Sequence, residues 1–98
     1  MTVYVDNMRA RYGRMVMCHM LADDLDELHA MAERLGLKRA WFQDKGIPHY
    51  DISKGKRDLA IDYGAIPINR AQTVTVMRAW RRRIKLIRKA VVPDSRRA

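Results

Sequence analysis

The sequence predicts an α/β fold: a small, mostly parallel sheet of about four strands with three helices, the last one long and basic. Three observations carry this expectation. Short β-branched and aromatic stretches alternate with helical periodicity from residue 15 onward, an order that implies parallel strands joined by helices. Asp24 and Glu27 form a capping-box pair ahead of Leu25, Leu28, Ala32 and Leu35, which share one helix face and stop at Gly36. Thr73, Met77, Trp80, Ile84, Ile87 and Val91 step by four, three, four, three and four, an apolar seam with a period of about 3.5 residues.

The elements follow in order. Thr2 to Asp6 is short, β-branched and aromatic, as a strand prefers. A polar and basic stretch through Arg14 follows, with Gly13 placed to turn it. Met15 to Leu21 is a second apolar run of strand length, and the Asp24-capped helix comes next. Leu37 to Gln43 reads as a third strand, with Trp41 and Phe42 as core residues rather than an exposed platform for a base. Gly46 and Pro48 mark a loop, and His49 to Asp51 is a brief extension or part of that loop. Ser53 caps a short helix closed by Gly64. Ala65 to Ile68 is a short strand whose Pro67 favours an edge. Asn69 caps the last helix, and Pro93 is expected to stop it. The chain thus divides into an α/β core at 1–69, a long amphipathic helix at 70–92 packed on the core, and a flexible tail at 93–98.

Charge follows the same division. Nine Lys or Arg residues against Asp94 give residues 78–98 a net +8, out of +9 for all 98 residues. The body is nearly neutral, so the cationic helix calls for its own explanation. Arg78, Arg81, Arg82, Arg83, Lys85, Arg88 and Lys89 suit a surface that binds nucleic acid or another polyanion through phosphates. An acidic groove on a host protein is a second partner of the same sign. A roughly 20-residue helix is about 30 Å long and exceeds a small sheet, so part of the seam is free to pair two copies into a homodimer. No apolar run reaches the roughly 20 residues of a membrane span. Cys18 is the lone cysteine, and with no apolar leader ahead of it a reducing cytoplasmic setting is expected.

The body holds all three histidines, His19, His29 and His49, among many acids. His49 and Asp51 lie two apart and project to one side of an extended segment. A carboxylate beside an imidazole fixes its tautomer and raises its basicity. Asp6 ends the first strand and His19 closes an apolar run. Asp6, His19, His49 and Asp51 are therefore the candidate catalytic set, and Asp6, His19 and His49 the candidate ligands of a divalent metal ion. Lys54 and Arg57 are placed to neutralise a phosphate. His29 lies beside the buried seam of its helix, where a hydrogen-bonded boundary histidine is the commoner arrangement. Cys18 and His19 are strand neighbours on opposite faces and cannot share a proton, so Cys18 reads as a buried structural residue. No Gly-rich phosphate loop is present, which leaves kinase and dinucleotide chemistry without support.

Tyr4-Val-Asp6, Cys18-His19, Ala22-Asp23, Glu27-Leu28-His29, Arg39-Ala-Trp41-Phe42-Gln43 and His49-Tyr50-Asp51 occur in this order. Together they resemble the pattern of the domain-of-unknown-function family four-zero-three-one, small proteins of bacteria and their phages. The resemblance spans about residues 2–66 and leaves the basic helix outside. Met17 departs from it, standing where the pattern prefers an aromatic residue. The resemblance implies that His19, His29 and His49 belong to shared motifs, and it carries no established activity. The expected function is a metal- or His/Asp-assisted phosphoesterase or nuclease-like hydrolase acting on nucleic acid or a nucleotide. The alternative is a non-enzymatic accessory protein that binds nucleic acid or an acidic host protein through the basic helix.

Overall fold

The computed structural model describes residues 2–95, with the side chains of all but Tyr12 and 91–95. Five strands and three helices form in the order β1 (Val3–Val5), β2 (Ala10–Tyr12), β3 (Met15–Ala22), α1 (Leu25–Arg34), β4 (Tyr50–Ser53), α2 (Lys54–Asp62), β5 (Ile66–Pro67) and α3 (Arg70–Ser95). The architecture is α/β with a mixed sheet. β3 runs through its middle and is paired antiparallel on both edges. Met20 has Val5 on one side and Tyr50 on the other, and Met17 has Ala10 and Ser53. So β1 and β2 lie end to end along one edge of β3, and β4 takes the opposite edge. Only β5, beside β1, is parallel.

The mostly parallel sheet expected from strand–helix alternation is therefore corrected. The alternation is real, but the first three strands are joined by a loop and a tight turn, and short links of that kind give antiparallel neighbours. The turn has Gly13 at a φ of 62°, the positive value that a two-residue hairpin needs at its first central position. That hairpin turns Ala10–Tyr12, read from sequence as a polar connection, into β2. Leu37–Gln43 is not a strand. It holds a single 3₁₀ turn at Arg39–Trp41, and only Gln43 makes a bridge, to His49. Both edges of β3 are already occupied, which leaves this run beside the sheet rather than in it. Trp41 is consequently 51% exposed, and Phe42 packs on the core only in part.

The alternating side chains of β3 divide the interior in two. Cys18, Met20 and Ala22 face α1 and α2 and form the larger core with Val5, Tyr50 and Ile52. Leu21, on the other face, packs with Ile47 and Trp80 beneath α3. Asp24 caps α1 by accepting from the Glu27 N–H at 2.8 Å, as expected. Ser53 caps α2 through the Lys56 N–H. Asn69 and Gln72 cap α3 reciprocally, each side chain accepting from the other's backbone N–H at 2.9 Å.

The seam of α3 docks for only half its length. Thr73 and Trp80 are buried, and Met77 and Ile84 are partly covered, but Ile87 is 57% exposed. The indole N–H of Trp80 donates to the Ala22 carbonyl at 2.7 Å and fixes the docking point. Beyond it the helix runs out from the sheet, and the whole molecule measures 50 by 28 by 28 Å. Pro93 does not end the helix. Proline keeps a helical φ and removes one donor, and α3 continues to Ser95. Of the tail expected at 93–98, residues 93–95 are helical and 96–98 lie outside the described residues.

Leu25 and Leu28 belong to the same apolar seam in sequence, but Leu28 is fully buried and Leu25 is 40% exposed. Leu28→Ala is expected to cost about 2–5 kcal/mol and Leu25→Ala less than about 1 kcal/mol, as read from the midpoints of urea unfolding curves.

Candidate functional site

One row of side chains crosses the sheet on the face that α3 only partly covers. The register pairs His19 on β3 with Asp51 on β4. On the opposite edge Val5 pairs with Met20, which places Asp6, the next residue, opposite His19. His49 precedes β4 by one residue and shares the face of Asp51.

The Asp6–His19 pair departs from an ordinary ladder. The Asp6 N–H donates to the His19 carbonyl at 3.0 Å. The return bond from the His19 N–H goes to Asp6 Oδ1 at 2.8 Å instead of to the Asp6 carbonyl. That carbonyl accepts from Arg57 Nε at 2.8 Å. The chain then leaves β3 through Asn7 to Arg9, three residues opposite the single Cys18, and rejoins as β2. Asp6 Oδ1 also accepts from the Met8 N–H at 3.2 Å, and Oδ2 meets His19 Nδ1 at 2.8 Å. Both oxygens are committed, on a side chain only 5% exposed.

This arrangement sets the state of the imidazole. Nδ1 of His19 donates to Asp6, so Nε2 is the nitrogen that faces outward. The hydrogen bond from Asp6 is the main cause that raises the His19 pKa, against the lowering effect of burial. For Asp6, burial pushes the carboxyl up, but the hydrogen bonds from the His19 ring and backbone outweigh it and hold the pKa below its ordinary value. His49 is fixed in the same sense. Its Nδ1 lies 2.7 Å from the Ile47 carbonyl, which can only accept, so Nδ1 carries the proton and Nε2 presents a lone pair.

The two outward nitrogens converge on one carboxylate. Asp51 Oδ1 is 3.6 Å from His19 Nε2 and 3.7 Å from His49 Nε2, and the rings meet edge to face at 5.1 Å. The other oxygen, Oδ2, accepts from Gln43 Nε2 at 2.7 Å. The three inward atoms lie within 4.8 Å of one another. Such separations are too long for direct hydrogen bonds. The two nitrogen–oxygen separations lie a little above the roughly 3–3.5 Å between ligands that share one cation at about 2.1 Å. Two imidazoles and a carboxylate suit a borderline divalent ion such as Zn²⁺, Mn²⁺ or Fe²⁺.

The sequence-derived set is thus brought together with its roles rearranged. Asp51 occupies the position among the converging atoms that Asp6 was expected to fill, and Asp6 stands behind His19. His29 does not join them. It lies on the α1 side of the sheet, with Nδ1 2.8 Å from the Tyr50 hydroxyl and its ring against Phe42; burial, then Arg39, lowers its pKa. Cys18 is buried with its thiol toward the Ile52 carbonyl, and burial followed by Asp6 pushes its pKa up to about 11, so it is no nucleophile. Lys54 and Arg57 line a separate 180 Å³ hollow beside Asn7 and Arg9. Arg11 is among the residues lining a 420 Å³ cavity with His19, Gln43 and Asp51, although its strand partner is Val16, on the other face of β3. Gln43 and Arg11 were not singled out from sequence. Gln43 closes an aromatic run and Arg11 sits in a polar connection, and only the Gln43–His49 bridge makes Gln43 a neighbour of Asp51.

A 920 Å³ groove lies between α3 and residues 44–49, with His19 and His49 among its lining residues. Of the eight cations on α3, Arg81, Lys85 and Arg88 line it. Arg83 is held elsewhere: its guanidinium stacks 4.5 Å from the centre of the Trp80 ring and donates to the Asp23 carbonyl. Arg78, Arg82 and Lys89 are exposed away from the groove.

The fold and site define an α/β protein whose mixed sheet carries a recessed His–His–Asp centre on its half-open face. Residues 3–80 match the family described as Protein of unknown function (DUF4031), and the chain belongs to that family. The match extends past residue 66 to Trp80, so it takes in the docked half of α3 and stops just before Arg81. No curated protein and no solved structure matches the chain. Among the described residues no helix is long and apolar enough to cross a membrane.

The Asp6–His19 pair has a defined pH signature in the metal-free protein. His19, raised on folding, contributes stability that is complete below its unfolded value near 6.5 and is lost as pH rises through the folded value. Asp6, lowered on folding, contributes stability that is complete above its unfolded value near 4 and is lost as pH falls through the folded value. Their joint contribution is therefore greatest between about pH 4 and 6.5. An NMR titration of the imidazole protons is expected to place His19 above the ordinary histidine value and to show it falling in Asp6→Asn. An unchanged His19 titration in that variant would mean that Asp6 does not govern the ring.

Proposed function

We propose that this protein is a metal-dependent phosphoesterase whose ion is held by His19 Nε2, His49 Nε2 and Asp51 Oδ1. The reading rests on one observation above all: three ligand atoms of suitable chemistry converge, each with its second polar atom tied down. Asp6 holds His19, the Ile47 carbonyl holds His49, and Gln43 holds Asp51. Carboxylate and carbonyl partners of this kind orient metal-binding imidazoles and raise their basicity. Three protein ligands leave positions open for water and substrate, as catalytic sites require. A divalent ion there lowers the pKa of bound water and polarises a phosphoryl oxygen. The alternative, an accessory protein that binds nucleic acid or an acidic host protein through α3, draws support from the protruding half of that helix, where Leu86 and Ile87 are 67% and 57% exposed.

Isothermal titration of the metal-free protein with Zn²⁺ or Mn²⁺ is expected to give one site per chain. His19→Ala, His49→Ala and Asp51→Ala should each abolish it, while Asp6→Asn and Gln43→Ala should weaken it by about 10–100-fold. The loaded protein should hydrolyse bis(p-nitrophenyl) phosphate, and chelation or His49→Ala should remove that activity. Equal metal affinity in the wild type and in the three ligand variants would defeat the reading.

A further inference from the structure

We infer that the groove between α3 and residues 44–49 is the track of a single-stranded nucleic acid, laid with its backbone along Arg81, Lys85 and Arg88 and directed at the His–His–Asp centre. The inference deepens the phosphoesterase reading by naming its substrate class, and it rests on that reading for the fate of the strand but not for its binding.

Three features of the groove lead to this occupant. The first is the spacing of its charges. Arg81, Lys85 and Arg88 all line the 920 Å³ groove, and at 1.5 Å per residue they stand about 6 and 4.5 Å apart along the helix axis. Three cations in file along one wall suit a repeating anion better than a single phosphate. Among the described residues the lining holds one acid, Asp44, which sits next to Lys45.

The second is the floor. Leu21, Met77, Trp80 and Ile84 make the base of the groove apolar. A duplex turns its phosphates outward and keeps its bases stacked within, so it has nothing to lay on such a floor. An unpaired strand presents both a charged backbone and apolar base faces, the combination that single-strand grooves bind. A second copy of this chain fits poorly, because it would bring an equally cationic helix against the first.

The third is where the groove leads. His19 and His49 line the same groove as the three cations, while Arg70, Arg78, Arg82, Arg83 and Lys89 are not among its lining residues. Arg83 is bound to Asp23 and Trp80. Three of the eight α3 cations therefore share one groove with His19 and His49.

The test is fluorescence anisotropy with the full chain in EDTA, using a labelled 12-nucleotide single-stranded DNA, a duplex of equal length and a poly-glutamate peptide. The single strand is expected to bind at least tenfold more tightly than the duplex or the peptide. R81E/K85E/R88E should weaken single-strand binding at least tenfold and lower the slope of log affinity against log salt by about 2, from three contacts at about 0.7 each. R78E/R82E/K89E, with the same change in net charge but outside the groove, should have a much smaller effect. Circular dichroism melts of both variants check that the fold is retained. Equal losses from the two triple variants would overturn the proposal, as would a duplex or peptide that binds as tightly as the single strand. The metal reading fails separately. If H19A/H49A binds the strand normally in EDTA and the loaded wild type cleaves nothing, the track stands and the phosphoesterase is lost; if the metal binds and the groove variants bind the strand unchanged, the reverse holds.

Discussion

The exchange between Asp6 and His19 is the contact on which the rest of the molecule turns. A regular antiparallel pair returns both ladder bonds through the backbone. Here the carboxylate of Asp6 takes the bond from the His19 N–H, and the carbonyl it displaces is free to accept from Arg57 on α2. One substitution of acceptor thus accomplishes three things. It lets the chain bow out at Asn7–Arg9 without orphaning a buried donor, it ties α2 to the sheet edge, and it turns the His19 ring so that Nε2 faces the opening. No apolar residue at position 6 supplies an acceptor for that N–H or for the ring.

The parity of β3 then separates structure from chemistry. Even-numbered residues Cys18, Met20 and Ala22 face a core that α1 and α2 cover fully, whereas His19 and Leu21 face the side that α3 covers in part. Trp80 anchors α3 over the Leu21 end, and the row from Asp6 through His19 to Asp51 stays open beside it. His29 shows the contrast. It has a hydrogen-bonded ring like the other two imidazoles, but its partner is the Tyr50 hydroxyl on the packed face, where it completes the core edge.

Charge is partitioned along α3 in the same economical way. Arg83 serves the docking joint, and Arg81, Lys85 and Arg88 line the groove. The family match ends at Trp80, so the docking residue belongs to the matched region and the cationic line follows immediately after it. The centre built by residues 6–51 and the line of charge beyond residue 80 are joined in space only because the tryptophan sets the angle at which the helix leaves the sheet.

Local physical chemistry made much of this legible in the sequence. The caps at Asp24, Ser53 and Asn69 act within three residues of themselves, so their helices begin where the sequence places them, and the His49–Asp51 spacing of two fixes a shared side whenever the segment is extended. The separation of Cys18 from His19 follows from the same alternation. What the sequence did not determine is long-range pairing. The strand at Ala10–Tyr12 exists because β3 offers an edge, and the expected strand at Leu37–Gln43 is absent because none remains. Asp6 was expected to share a metal ion with His19 and His49, whereas Asp51 is the carboxylate that lies between their Nε2 atoms, since spacing along the chain cannot say which carboxylate stands behind an imidazole and which stands before it. That choice belongs to the register of three strands, set by the burial of Val5, Met20 and Tyr50 on the far face of the sheet. Only the tertiary structure brings those side chains together.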